Sequence, residues 1–229
     1  MVDYSKRLYV GLTGKTDDDW KTKIKDINKY KLTEISLFLT RFNYEQRQNI
    51  YSTLLKSSVK KIPLVHIRHD MIKEELSFLE ENFKSKYFTI HEDGFKILNR
   101  WRGHYKKLYL EMDTDNYVGE HVEVSRIGGF CVDLSHFKCQ ERVWSEEYEY
   151  MLKRKRFHKY FACNHINGYS YDKNRDLHTV NSLGDFNYLK TLPEFIFGGV
   201  IGIETENPIP QQLKFKDYLG NLLNKIFHK

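Results

Sequence analysis

Residues 129–136, Gly-Phe-Cys-Val-Asp-Leu-Ser-His, contain a short apolar run that ends in Asp133 and, three positions later, His136. Short runs rich in β-branched and aromatic residues are typical of buried parallel strands. We therefore expect Asp133 and His136 to lie just past the carboxyl end of such a strand. The stretch predicts a strand whose end carries groups capable of chemistry.

Short apolar runs like this one recur along the chain and alternate with longer stretches that have helical periodicity. The predicted strands are Leu8–Leu12, Glu34–Leu39, Ile62–Ile67, Tyr87–Ile90, Leu108–Glu111, Gly129–Leu134, Tyr160–Asn164 and Val200–Glu204. The predicted helices start at about Asp17 and cover Tyr44–Lys56, Lys73–Asn82 and Pro210–Phe227. Alternating strands and helices predict an α/β fold, and eight strands close a (β/α)₈ TIM barrel, here as one domain over residues 1–229.

Length and composition agree with this prediction. The 229 residues approach the ~250 typical of a full barrel. The 40% hydrophobic share, with 15 Phe and 16 Tyr, is sufficient for a large core. No apolar stretch approaches the ~18 residues of a membrane span, and no signal-peptide core follows the first residues. We therefore expect a cytoplasmic protein with no membrane partner.

Charge and cysteine content narrow the function only slightly. The net charge of +6 suits a polyanion, but the 37 basic residues are interspersed with 31 acidic ones, so charge supports nucleic-acid binding weakly. Cys131, Cys139 and Cys163 are odd in number and lack CxxC spacing, which favours structural thiols.

Two connections depart from the regular alternation. The link Asp93–Lys107 is short for a helix with its loops, so we expect that βα unit to be degenerate. The polar segment Ile166–Leu183 is long and rich in Gly, Asn and Asp, which favours a functional lid.

Residues that commonly bind metals follow most of the predicted strands. Because all strand ends of a TIM barrel open onto one face, these side chains are predicted to converge. The set is His66, His91, Glu111, Asp133, His136, His165, Asp176, His178 and Glu204.

The members of this set differ in how clearly their pattern indicates a metal. Zn²⁺ and Mn²⁺ accept the mixed oxygen and nitrogen ligands of Asp133-x-x-His136, although a capping Asp beside a surface His has the same pattern. A buried Glu111 or Glu204 is costly unless a cation compensates it, the alternative being a Lys or Arg partner in the barrel mouth. The pair Asp176-x-His178 either folds back over the mouth or is a solvated loop.

The run Leu64-Val-His66-Ile-Arg68-His69 offers two histidines. Strand alternation sends His66 and His69 to opposite faces. We prefer His66 as the ligand because it is nearer the strand, and His69 is the alternative ligand. Arg68 then points the same way as His66 and is predicted to meet an anionic substrate.

The order and spacing of these nine residues resemble the ligand series of AP endonuclease IV, within the xylose isomerase-like TIM-barrel superfamily, over nearly the whole chain. The resemblance implies a three-zinc cluster that hydrolyses the phosphodiester beside an abasic site in DNA. It implies that His66 and His91 hold one zinc with a shared Glu111. It implies further that a central pair uses Glu111, Asp133, His165 and Glu204, and that the remaining ion uses His136, Asp176 and His178.

The same superfamily contains sugar and sugar-phosphate isomerases and epimerases. In those enzymes a set like Glu111, Asp133, His165 and Glu204 holds one Mn²⁺- or Mg²⁺-type ion, and the resemblance implies that the two glutamates are also the catalytic acid and base.

Two enzyme hypotheses follow from these resemblances. The leading one is a metal-dependent phosphoesterase, with zinc as the expected metal in up to three sites and a nucleic acid or a small phosphate ester as substrate. The alternative is a single-metal sugar or sugar-phosphate isomerase or epimerase, and a non-enzymatic metal-binding barrel is the third class. The chain is short for a nuclease that wraps DNA.

Aromatic and basic residues predicted near the barrel mouth either bind a nucleotide or form a solvated rim: Arg41, Phe42, Arg68, Trp101 and Arg102.

Overall fold

The computed structural model describes residues 3–227, and its centre is a closed barrel of eight parallel strands. The barrel confirms the predicted (β/α)₈ fold. The strands follow the order β1-β10-β7-β6-β5-β4-β3-β2 around the barrel. The barrel strands are β1 (Leu8–Leu12), β2 (Ser36–Phe38), β3 (Leu64–His66), β4 (Tyr87–Ile90), β5 (Leu108–Leu110), β6 (Gly129–Asp133), β7 (Phe161–Ile166) and β10 (Val200–Ile203). The remaining two strands, β8 (Gly168–Ser170) and β9 (Arg175–Leu177), form a separate antiparallel pair.

Six α-helices accompany the strands in the described part of the chain. They are α1 (Asp17–Lys29), α2 (Tyr44–Leu55), α3 (Lys73–Phe83), α4 (Leu134–Val143), α5 (Glu146–Leu152) and α6 (Ile209–Phe227). The first of them starts where the sequence predicts, because the Thr16 hydroxyl accepts the Asp19 amide and the Asp19 carboxylate accepts the Thr16 amide.

The outer ring of α-helices is incomplete between β4 and β6, as the short link Asp93–Lys107 predicts. The units there carry 3₁₀ helices instead of α-helices, at Glu92–Trp101, Tyr105–Lys107 and Val124–Arg126. The expectation of an irregular lid after β7 needs correction. The segment is folded by the β8–β9 hairpin, in which Tyr169 pairs with Asp176.

Strand alternation divides the barrel interior into two levels. The lower level is an apolar floor of Tyr9, Leu64, Tyr109, Cys131, Cys163 and Val200, which forms a cluster distinct from the core beneath the helices. Two residues further along the same strands the inward positions are polar or very small. They are Gly11, His66, Glu111, Asp133, His165 and Gly202. The predicted ligands therefore stand on an apolar floor.

Room for large side chains in this upper level comes from glycines on β1 and β10. A Cβ on Gly11 would lie 2.1 Å from the carbonyl oxygen of Ile203 and 2.8 Å from the ring of Phe38. The Phe38 ring crosses this space and packs edge-on against His165, with ring centroids 5.1 Å apart. The absence of a side chain at Gly11 thus leaves space for the Phe38 ring, which packs against the buried imidazole of His165.

The three cysteines are buried and free, in agreement with structural thiols. No helix within residues 3–227 is long and apolar enough to cross a membrane. His228, which the sequence suggests to be a surface residue, lies outside the described residues.

Candidate metal centre

Four buried residues meet at the ends of four neighbouring strands, β5, β6, β7 and β10. They are Glu111, Asp133, His165 and Glu204, and one possible ligand atom from each lies within 4.8 Å of those of the others. The Nδ1 atom of His165 is 2.8 Å from Oε2 of Glu111 and 3.2 Å from Oε2 of Glu204. Two carboxylates therefore face one imidazole nitrogen in a closed space.

Several of these buried atoms have no hydrogen bond. His165 Nδ1, Glu111 Oε2, His66 Nδ1 and His136 Nδ1 are all buried and form no hydrogen bond, although each imidazole nitrogen lies within 4 Å of a Glu111 carboxylate oxygen. Leaving such a group unsatisfied costs about 1–3 kcal/mol each, so folded proteins rarely assemble several at one point. A divalent cation would satisfy them together, because carboxylate oxygens and imidazole nitrogens are ligands for Zn²⁺ and Mn²⁺. These residues fit a divalent metal ion.

Asp133 is oriented by its own helix and by a distant asparagine. Its Oδ1 accepts hydrogen bonds from the backbone and hydroxyl of Ser135 and from the backbone of His136, so it caps α4. Its Oδ2 accepts from Asn167 at 3.0 Å. The capping role suggested by the sequence and a place in the buried cluster thus coexist in one carboxylate.

The electrostatics favour charged carboxylates in the centre. Burial alone would raise the pKa of Glu111, but the imidazoles of His165 and His66 outweigh it and hold that pKa well below its usual range. Burial likewise opposes ionisation of Glu204, and His165 with His66 again lowers its pKa. Anionic carboxylates at this depth are suited to binding a cation.

His66 connects this cluster to a second group of ligands. Its Nδ1 lies 3.6 Å from Glu111 and 3.7 Å from Glu204, while its Nε2 lies 3.2 Å from Nε2 of His91. The His91 ring is fixed from behind by Asp113, whose Oδ1 is 3.0 Å from Nδ1. Burial lowers the pKa of His91, but Asp113 and the carboxylates of the centre overcome this and raise it to about 9.

A third group lies on the other side of Glu111. His136 Nδ1 is 3.4 Å from Oε1 of Glu111. Asp176 on β9 lies 3.0 Å from His178, and the Nδ1 of His178 is 3.3 Å from the carbonyl oxygen of Glu204. Burial opposes the charge of His178, yet Asp176 and Glu204 raise its pKa to about 9. The hairpin therefore carries Asp176 and His178 back to the barrel mouth.

The structure places the two histidines of the β3 segment differently. His66 is buried beside Glu111, whereas His69 is exposed and lines a cavity of about 460 Å³ that reaches the mouth. Arg68 and His91 line the same cavity. Two of the suggested rim residues are buried. Phe42 has no exposed surface, whereas Trp101 donates its indole N–H to the backbone of Met71 and also lines the cavity.

Two residues at the site have roles that the sequence analysis did not recognise. Asp113 orients His91, as described above. Glu206 ties the mouth loops together: its carboxylate accepts from Lys15, Arg41 and Thr179, and its amide donates to the carbonyl oxygen of His178. The strand end Glu111-Met-Asp113 was a signal for the first, since alternation gives both acids the same side. No local pattern indicates the second.

Comparison with known proteins supports the fold. No protein-family model matches the chain, and no curated protein matches its sequence. Among solved structures it is similar to a D-tagatose 3-epimerase-like protein, with a TM-score of 0.58 and 14% sequence identity over 95% of this chain and 98% of that one. The similarity confirms the predicted (β/α)₈ TIM-barrel fold.

Proposed function

We propose that this chain is a divalent-metal-dependent isomerase or epimerase of a sugar or sugar phosphate. The observation that carries the proposal is the position of Glu111 and Glu204, whose carboxylates approach the same nitrogen of His165 at 2.8 and 3.2 Å. Two carboxylates that flank one point can serve two faces of a substrate carbon. The similar fold of a D-tagatose 3-epimerase-like protein is consistent with this chemistry.

The proposed chemistry is a proton transfer at a carbon beside a carbonyl group. One of Glu111 and Glu204 removes the proton as a carboxylate and becomes a carboxylic acid, which returns that proton to the neighbouring carbon in an isomerisation. In an epimerisation the other glutamate delivers a proton to the opposite face, and it must first take that proton from solvent. The pKa values of both carboxylates are lowered in this site, so the group that removes the proton is ionised at neutral pH. A bound divalent cation would supply polarisation of the substrate oxygens, and it would be held by Glu111, Asp133, His165 and Glu204.

Solvent hydrogen exchange tests this proposal directly. A panel of ketoses, aldoses and their phosphates is incubated with the metal-loaded protein in D₂O, and deuterium at carbon is measured by mass spectrometry. We expect Glu111→Gln and Glu204→Gln to abolish incorporation, because an amide cannot accept the proton. Glu120→Gln, at an exposed glutamate, is the matched control. Absence of exchange with the whole panel would refute the proposal.

Phosphoester hydrolysis is a second candidate function, and a specific observation favours it. Five further ligand-type residues surround the central four: His66, His91, His136, Asp176 and His178. An isomerase that uses one cation has no need of them, whereas a multinuclear site can generate hydroxide and hold phosphoryl oxygens.

Metal stoichiometry separates the two candidates. Elemental analysis of protein purified without chelator is expected to give about one divalent ion per chain for the isomerase. About three zinc ions would favour the phosphoesterase and direct the next assay to abasic DNA and small phosphate esters. Asp176→Ala adds a second criterion, since it should leave hydrogen exchange nearly intact in a single-metal isomerase and abolish hydrolysis at a multinuclear site.

A further inference from the structure

The cavity of about 460 Å³ that opens beside the metal centre has an uneven charge distribution along its length. Its wall is formed by residues at the ends of four neighbouring strands, β2, β3, β4 and β5. Arg68 follows β3, His91 and Asp93 follow β4, and Asp113 follows β5. The guanidinium of Arg68 is therefore contributed by the β3 side of the cavity, and the carboxylates are contributed by the next two strands, where Asp113 pairs with His91.

Arg68 is the unusual member of this wall. Its side chain is 29% exposed, and within residues 3–227 it forms no hydrogen bond. Its nearest carboxylate is Asp70, with 3.7 Å between Nε and Oδ1. By contrast, the guanidinium of Arg41 at the same mouth donates to Glu206 at 2.9 Å. A half-buried guanidinium carries five N–H donors, so Arg68 has its donors free for a ligand.

Asp70 does not satisfy Arg68, because 3.7 Å is too long for a hydrogen bond and a buried residue holds the Asp70 carboxylate in place. Arg47 has no exposed surface and donates to Asp70 at 2.9 Å. The same guanidinium binds Glu75 through two parallel hydrogen bonds of 2.9 Å. This network fixes the position of Asp70 next to Arg68 and leaves the donors of Arg68 open to the cavity.

The carboxylates on the other strands are not suited to an anion. Asp113 is bonded to His91 at 3.0 Å, and Asp93 is exposed. Carboxylate oxygens accept hydrogen bonds from hydroxyl groups. The carboxylates of Asp93 and Asp113 thus provide acceptors for substrate hydroxyl groups, and the guanidinium of Arg68 provides donors for an anionic group.

We propose that this cavity takes a polyhydroxylated substrate with one anionic group, a phosphate ester or a carboxylate, and that Arg68 binds that group. An arginine fork matches both groups because it donates two parallel hydrogen bonds. The inference rests on the proposed function only in placing the substrate in this cavity, and it deepens that function by specifying an acidic sugar derivative.

Anion binding tests the inference without a turnover assay. Inorganic phosphate and acetate are titrated calorimetrically into the metal-loaded protein and into protein dialysed against EDTA, since a metal could also bind these anions. We expect binding in both forms, Arg68→Gln to weaken it by at least about tenfold, and Arg68→Lys to have a smaller effect. Arg156→Gln, at an exposed arginine outside the cavity wall, should stay within about twofold of the wild type.

Each result has a defined meaning. Tighter binding of phosphate than of acetate assigns a phosphate ester, and the reverse assigns a carboxylate. Unchanged affinity in Arg68→Gln, or no binding to the metal-free wild type, overturns the inference. The proposed function fails separately: loss of anion binding in Arg68→Gln with no hydrogen exchange into any sugar would keep the anion site and reject the isomerase.

Discussion

The Nδ1 atom of His165 lies 2.8 Å from Oε2 of Glu111, yet neither atom has a hydrogen-bond partner. Two atoms at this distance that do not form a hydrogen bond are close enough together to be ligands of one cation. A cation between them resolves both groups at once, because it replaces two unsatisfied buried atoms with two ligand bonds.

Metal binding should therefore stabilise the fold. Ligand binding to the native state adds about 2.7 kcal/mol at a hundredfold excess over Kd. For a chain of this length that corresponds to a rise in Tm of roughly 5–10 °C. Scanning calorimetry before and after EDTA dialysis measures the change, and His165→Ala should abolish it. His121→Ala, at an exposed histidine, should behave like the wild type. Equal melting with and without EDTA contradicts the metal centre.

Metal affinity should increase as pH rises from about 7 toward 9. In the metal-free protein the pKa of His165 is raised well above its ordinary value, and the pKa values of His91 and His178 are about 9. Each of these rings that holds the metal must therefore lose a proton, and this includes His165 of the proposed four-residue site. Calorimetry in buffers of different ionisation enthalpy counts the protons released. If His91 and His178 serve as ligands, Asp113→Asn should reduce this count, since it removes the carboxylate that favours protonated His91. Asp115→Asn, at an exposed aspartate nearby, is the control. A pH-independent affinity would contradict this account.

The glycine at position 11 should be indispensable for barrel closure. A methyl group there would lie 2.1 Å from the backbone oxygen of Ile203, and a backbone cannot give way as a flexible side chain can. We expect Gly11→Ala to lower the free energy of unfolding by at least about 1–3 kcal/mol in urea titrations. Gly199→Ala is the matched control, because nothing lies within 4 Å of its added methyl group. Similar stability of the two variants would show that β1 and β10 are farther apart in solution.

Glu206 should control the mobility of the mouth loops more than the global stability. Replacing it with Gln removes the ion pairs to Lys15 and Arg41, which at this exposure are worth about 0.2–1 kcal/mol each. Amide hydrogen exchange followed by mass spectrometry should then accelerate in the peptides around Lys15 and His178, with little change in Tm. Glu45→Gln, at an exposed glutamate on α2, is the control. Uniform exchange rates across the three proteins would show that Glu206 does not tie the loops.

The barrel and the candidate ligands were predictable because both follow from short-range patterns. Apolar runs mark the strands, and polar residues at their ends share one face once the sheet closes. Alternation along β3 placed His66 and His69 on opposite faces, and closeness to the strand gave the preference for His66; the structure buries His66 and exposes His69. These inferences need only the period and the end of a strand.

Other features depend on pairs of residues that are far apart in sequence. The bond from Trp101 to Met71 spans 30 residues and converts a suggested rim aromatic into a core residue. The contact of Arg41 with Glu206 spans 165 residues. The β8–β9 hairpin was missed because its polar, Gly-containing strands lack the apolar alternation that marks a strand. No local pattern carries such information.

The apolar floor of the barrel also sets an order of events. Tyr9, Tyr109 and their neighbours fill the barrel below the ligands, so the barrel is open at one end only. In the proposed enzyme, ion, substrate and product would all pass through the same opening, and an ion held by Glu111, Asp133, His165 and Glu204 would lie below the substrate. The cation would then enter before the substrate, and a bound substrate would block its escape. Retention of the metal would be a kinetic property of a barrel closed at one end as much as a property of its ligands.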